Sequence, residues 1–237
     1  MPPRMTAPET APTPPSGDSD CAGCGKPAAL CVCAAMAPVA NRVHVLVLRH
    51  PQEQDKLLGT AGILTRQLER ATLRTGLSWP NLSRALGADA DPRRWGALYL
   101  GTAKQAPPRG LGPLVAVDGE GAPMAEQSAA LEGIDGIVLL DGNWSQAKAL
   151  WWRNAWLLKC RRFTVNPESP SLYGALRREP RRESVSTLEA GALALAALER
   201  RPELVEAMMA PFRLLLRKYR AAGFAPRPPD RRRRRGA

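Results

Sequence analysis

Three short stretches hold the residue types that could do chemistry. The first is Cys21-x2-Cys24-x6-Cys31-x-Cys33, which gathers four of the five cysteines of the chain. Four thiolates this close can surround one Zn²⁺ tetrahedrally, at Zn–S distances of about 2.3 Å. Gly23 and Gly25 allow a tight turn around the first ligand pair, and Pro27 stiffens the link to the second. With all four thiolates bound no coordination position stays open, so such a zinc is structural, or shapes a small RNA-contacting knob, and is not catalytic. The segment is too short for a helix-bearing finger, so metal binding itself is expected to drive its folding. Cys160 stands apart and reads as a helix-end or core thiol. The second stretch is Leu139-Leu140-Asp141-Gly142-Asn143-Trp144. A carboxylate there leaves the carboxyl end of an apolar run at a turn, the edge where open α/β sheets bind ligands. The same carboxylate could instead cap the following helix, and both readings stay open. The third stretch joins the basic cluster Arg177, Arg178, Arg181 and Arg182 to Ser186-x-x-Glu189. The arginines are either a solvated run or phosphate contacts. The serine and glutamate are spaced as a capping box, on a helix start whose amides could also meet a ligand carboxylate.

These groups need elements to position them. Val43–Leu48 (VHVLVL), Gly96–Leu100 and Gly136–Leu140 read as buried strands. Arg162–Val165 reads as another, and Leu114–Val117 as an edge strand, because Pro113 precedes it. Helical spacing runs over 57–71, near 79–86, and over 144–158, 186–200 and 202–222. Alternating strands and helices predict an α/β fold with a mainly parallel sheet. The helix from Trp144 carries Trp144, Ala147, Trp151 and Ala155 on one face, with Trp152 and Trp156 on a neighbouring one. Most of these indoles should be core, and an exposed one could stack on a base. His44, inside the first strand, reads as a satisfied core histidine. His50 and Glu53 follow that strand, either as a polar loop capping the next helix or as ligand contacts.

The domain reading is a disordered Pro-rich segment 1–20, a zinc module 21–40, a main domain 41–222 and a basic disordered tail 223–237. The formal charge is +12 and the isoelectric point about 10.3. The tail with Arg231–Arg235 holds only part of that excess, so the body too favours a polyanionic partner, most simply nucleic acid. No apolar run has the length of a membrane span and the first residues lack an apolar leader core. A cytoplasmic location with reduced thiols is the expectation. No Gly-x-Gly-x-x-Gly follows any strand, which speaks against a dinucleotide enzyme.

Taken together, the motifs resemble the DTW-domain family. The cysteine cluster is followed by a strand, His50-Pro51-Gln52-Glu53 and Thr60; Asp141-Gly142-Asn143-Trp144 is similar to the Asp-x-Thr-Trp signature, with Asn143 in place of Thr; Tyr173, Arg177, Arg178, Glu179 and Pro180 lead to Ser186-Thr187-Leu188-Glu189-Ala190. The resemblance implies a SPOUT-like sheet with a knotted cofactor site, and transfer of the 3-amino-3-carboxypropyl group of S-adenosylmethionine to N3 of a tRNA uridine. On that reading Asp141 is the base. Leu100, Gly101, Leu140, Trp144, Ser186 and Thr187 line the cofactor, and His50, Glu53, Arg177 and Arg178 face the RNA. A monomer is expected. Two readings compete with this one: a SPOUT-type RNA methyltransferase, and a zinc-containing RNA-binding protein without catalysis.

Overall fold

The computed structural model describes residues 20–53, 57–98, 110–176 and 185–223. Leu100, Gly101, Arg177, Arg178, the N-terminal segment 1–19 and the basic tail lie outside the described residues.

The apolar, β-branched runs build one six-stranded sheet from β1 (His44–Arg49), β2 (Ala71–Thr75), β3 (Trp95–Leu98), β4 (Leu114–Val117), β5 (Gly136–Asp141) and β6 (Arg161–Val165). Their order across the sheet is β2-β1-β5-β3-β6-β4. All neighbours pair in parallel except β4, which runs antiparallel to β6 at the edge. The expected edge position after Pro113 is therefore met. In β1 the four inner residues are buried on both faces, as a central parallel strand requires.

Six helices cover the two faces: α1 (Ala61–Gln67), α2 (Leu82–Leu86), α3 (Gln127–Leu131), α4 (Trp144–Arg153), α5 (Thr187–Glu199) and α6 (Glu203–Ala221). On one face Val45, Val47, Ile137 and Leu139 pack with residues of α1, α5 and α6, including Leu64, Leu195 and Phe212. On the other, Leu46, Leu48 and Val138 pack with Leu82 of α2 and with Leu150, Trp151 and Trp156. Helix α5 is apolar all round and lies buried between the sheet and α6. It approaches so closely that a Cβ on Gly191 would sit 2.8 Å from Leu64 and 3.3 Å from Leu139.

Two expected helices end early. The helical spacing of 57–71 yields a helix only over Ala61–Gln67, and Ala71–Thr75 becomes an edge strand. Asn41 explains the switch. Its side chain accepts from Arg70 N (3.0 Å) and donates to Arg70 O (2.9 Å), fixing that backbone as extended where it meets β1. The open side of β1 supplies a ladder that local helical preference does not outweigh. The stretch 144–158 breaks at Asn154, a fully buried residue whose side chain donates to Leu150 O and Leu77 O and accepts from Trp79 N. A 3₁₀ turn over Ala155–Lys159 follows. The break leaves Ala155 exposed and turns Trp156 into the core, away from the Trp152 it was expected to accompany. Helix α3 was not anticipated.

The cysteine segment packs into the same core as the sheet. Cys24, Leu30, Val32 and Val39 join the α1–α5–α6 cluster. Lys218 of α6 donates to Cys31 O at 2.7 Å, and the buried Lys26 amine donates to the carbonyls of Leu57 and Gly59.

Candidate active site

Strand β1 leads through α1 to β2 on one side of it, while the neighbouring β5 leads through α4 to β6 on the other. Chain paths that diverge from two adjacent parallel strands open a crevice at their carboxyl ends. The last register pair of β1 and β5 is Arg49 with Asp141, so the sheet itself delivers a guanidinium and a carboxylate to that crevice.

Asp141 is 8% exposed and both of its carboxylate oxygens are engaged. Arg49 donates from Nε to Oδ2 at 3.0 Å, and Thr187 donates its hydroxyl to Oδ1 at 2.7 Å. The Asp141 carbonyl accepts from the amide of His50 at 2.9 Å. The ends of β1 and β5 and the first turn of α5 thus meet on one residue. The ion pair offsets the cost of holding a carboxylate almost out of water. Each oxygen keeps a further lone pair for a ligand. Arg49 is the residue that sequence reasoning missed. The available signal was a cation closing an otherwise apolar strand. Its two terminal nitrogens bond to no group among the described residues.

Asp141 does not cap α4. That role falls to Asn143, whose side chain accepts from Gln146 N at 3.0 Å while the Gln146 side chain accepts from Asn143 N at 2.7 Å. Threonine and asparagine both serve at this position, which accounts for Asn143 standing where Thr is usual. The turn is tight: a Cβ on Gly142 would lie 2.8 Å from Gln146 and 3.4 Å from His50. His50 is buried as one wall of this turn, its Nδ1 accepting from Gln52 N at 3.1 Å. Glu53 folds back over it, its amide donating to His50 O. Leu140 and Trp144, on either side of the turn, are half-buried.

The start of α5 is a second junction. Ser186 and Glu189 form the expected capping box. The buried Glu189 carboxylate also accepts from Ser171 Oγ and Leu172 N, both at 2.7 Å. The amide of Leu188 donates to Thr60 Oγ1 at 3.2 Å. Ser186 and the amides of Leu188 and Glu189 are therefore spent within the protein, and Thr187 spends its hydroxyl on Asp141. Tyr173 is a core residue: its hydroxyl donates to Leu58 O at 2.7 Å and its ring meets Phe212 edge-on at 5.0 Å.

The four cysteine sulfurs all lie within 4.8 Å of one another, with separations of 3.5 Å (Cys21–Cys33), 3.6 Å (Cys21–Cys31) and 3.8 Å (Cys24–Cys31). A tetrahedron of Zn–S bonds sets sulfurs about 3.8 Å apart, so the donor set fits zinc. Backbone amides of Cys24 and Gly23 pull the Cys21 thiol down to about 6, while sharing a proton with Cys21 pushes Cys33 up to about 12. Cys160 is buried under α4, and burial pushes its thiol up to about 12, as an inert core group.

Comparison with known proteins agrees with these motifs. A family model described as the DTW domain matches residues 18–220. The tRNA-uridine aminocarboxypropyltransferase 2 of Drosophila melanogaster is 31% identical over 212 residues, covering 85% of this chain and 75% of that one. Proteins of the same name from Macaca fascicularis and Mus musculus are each 26% identical over 83% of this chain, which spans 62% of their length. No solved structure matches the chain. No helix among the described residues is long and apolar enough to cross a membrane.

Proposed function

As the chain belongs to the DTW-domain family, we propose that it transfers the 3-amino-3-carboxypropyl group of S-adenosylmethionine to N3 of a uridine in tRNA. The observation that carries this reading is a carboxylate and a guanidinium held together at the carboxyl-end crevice, on the segment that bears the family's signature. The name shared by the three relatives supplies the substrate class. The SPOUT-like assignment with its knotted cofactor site belongs to the same proposal, supported by the five parallel strands and the divergence between β1 and β5.

S-adenosylmethionine supplies an activated carbon next to its sulfonium; the N3–C bond forms as the C–S bond breaks, and methylthioadenosine leaves. The enzyme must select that carbon by orientation alone. Asp141 accepts the proton released from N3, through a lone pair not used by Arg49 or Thr187. Arg49 keeps Asp141 in place and turns its terminal nitrogens to the carboxylate of the transferred group. Thr187 fixes the carboxylate plane from α5. Leu140, Trp144 and the α5 start around Ser186 and Thr187 frame the cofactor, and Leu100 and Gly101 keep the cofactor-binding role that the resemblance implies. His50 and Glu53 line the turn and face the RNA, and Arg177 and Arg178 keep the RNA-contacting role that the resemblance implies. Zinc on Cys21, Cys24, Cys31 and Cys33 has a structural role, since four thiolates leave no open position. The protein acts as a soluble cytoplasmic monomer on tRNA.

The test is to incubate the protein with unmodified tRNA and S-adenosylmethionine and weigh the digested nucleosides. A uridine heavier by one aminocarboxypropyl group, with methylthioadenosine released, is the expected result. A methylated nucleoside with S-adenosylhomocysteine would move the protein to the methyltransferase reading. tRNA binding without modification would favour the non-catalytic one.

A further inference from the structure

Trp152 is 74% exposed, although the other indole side chains of α4 and its 3₁₀ extension are half-buried or buried. It lies on the solvent side of α4 four residues after the exposed Lys148 and beside the exposed Arg153. Lys159 and the half-exposed Leu158 follow on the 3₁₀ turn. The charge along this stretch has one sign: Gly142–Pro167 contains five lysines and arginines and no aspartate or glutamate. Arg161 in this stretch is occupied, donating to the carbonyls of Ala130 and Glu132, and Arg162 is half-buried, which leaves Lys148, Arg153 and Lys159 as the exposed cations along α4 and its 3₁₀ extension.

An exposed indole beside exposed cations offers a flat face on which a nucleobase can stack. With tRNA as the proposed substrate, an unpaired nucleotide is the occupant that uses both features, because its base stacks on the ring while its phosphates meet the lysines. The placement suits this too. Helix α4 starts three residues after Asp141, and Trp152 lies eight residues beyond Trp144, about 12 Å along the axis at about 1.5 Å per residue. That distance is about two to three nucleotides of extended strand, at roughly 5–6 Å each.

We infer that Trp152 is a stacking platform for an unpaired base of the tRNA, a few nucleotides away from the uridine that reacts, with Lys148 and Lys159 holding the flanking phosphates. The inference rests on the tRNA reading above and names where on the protein that substrate lies.

The test compares wild type, Trp152→Ala, Trp152→Phe and the Lys148→Ala/Lys159→Ala double variant, measuring affinity for unmodified tRNA and the KM and kcat of transfer. Trp152 packs into no core, so the variants should keep the wild-type melting temperature. Trp152→Ala should raise Kd and KM by about 5- to 100-fold, the range that losing one base–aromatic stack implies, with kcat unchanged. Trp152→Phe should recover most of that loss. The lysine pair should flatten the slope of log Kd against log salt by about one to two. Equal affinity of wild type and Trp152→Ala for tRNA would overturn the platform while leaving the proposed function standing. Failure of the wild type to bind any tRNA would overturn the substrate reading and the platform with it. A loss in kcat alone, without change in Kd, would also overturn the platform, since a remote stacking contact acts on binding.

Discussion

Asp141→Asn separates the structural from the chemical work of the central carboxylate. The amide has nearly the same shape: its oxygen can still accept from Arg49, and its NH2 can donate to the Thr187 hydroxyl, which turns to accept. What the variant removes is the negative charge, and with it the ion pair to Arg49. Breaking a fully buried ion pair costs about 3–5 kcal/mol. Here the Arg49 side chain is 29% exposed and water can resolvate it, so about 1–2 kcal/mol is the working figure. For a domain of this size that lowers the melting temperature by about 2–8 °C, which leaves the protein folded at 25 °C. Activity should fall much further. Loss of a positioned base removes about 10²–10⁴-fold in rate, and a single-turnover assay of modified uridine against time reads this directly. Thr187→Val is the companion, because it removes one hydrogen bond and keeps the charge. It should cost about 1 kcal/mol of stability and no more than about tenfold in rate. An Asp141→Asn enzyme within about tenfold of wild type would refute the proton-accepting role. Equal losses in the two variants would show that Asp141 acts only by holding the junction.

Three further outcomes follow from the geometry. Removing metal with a strong chelator should lower the melting temperature and release one zinc per chain by elemental analysis; Cys24→Ser, at a buried position, should destabilise more than Cys33→Ser at an exposed one. Burial, with Arg70 nearby, holds His44 below its ordinary value of 6.5, so the unfolded chain takes up a proton that the folded one resists. The His44 contribution should be intact above about pH 6.5 and be lost as pH falls below it, a slope in urea midpoints that His44→Gln should lack. Asn143→Thr should change neither stability nor rate measurably, whereas Asn143→Ala should cost about 1 kcal/mol in urea unfolding.

The sequence was informative where burial alone decides conformation. Val43–Leu48 and Gly136–Leu140 are legible as strands because central parallel strands are apolar throughout, and α5 because it is apolar all round. The capping box at Ser186 and Glu189 is equally local and equally visible. What sequence reading missed depends on distant partners. Nothing near Arg70 announces that Asn41 will hold it extended and convert a helical spacing into β2. The buried Asn154 ends α4 by reaching Leu77 and Trp79, residues 75 and more positions away. In the site, Asp141 is visible at a strand end, and Arg49 as a cation closing an apolar strand, but only register shows that the two stand opposite each other.

The cysteine turn touches the site at one remove. Lys26, one position past Gly25, fastens the carbonyls of Leu57 and Gly59, and the next residue, Thr60, receives the amide of Leu188, neighbour to the Thr187 that steadies Asp141. A chain shortened to begin after the cysteines would lose more than a metal. It would uncover the face of α6 that Leu30 and Val32 occupy and slacken the loop on which the start of α5 leans. Any shortened version meant to keep the Asp141 junction should therefore begin ahead of Cys21, and its capacity to take up zinc on the four thiolates is the expected measure of whether that junction is intact.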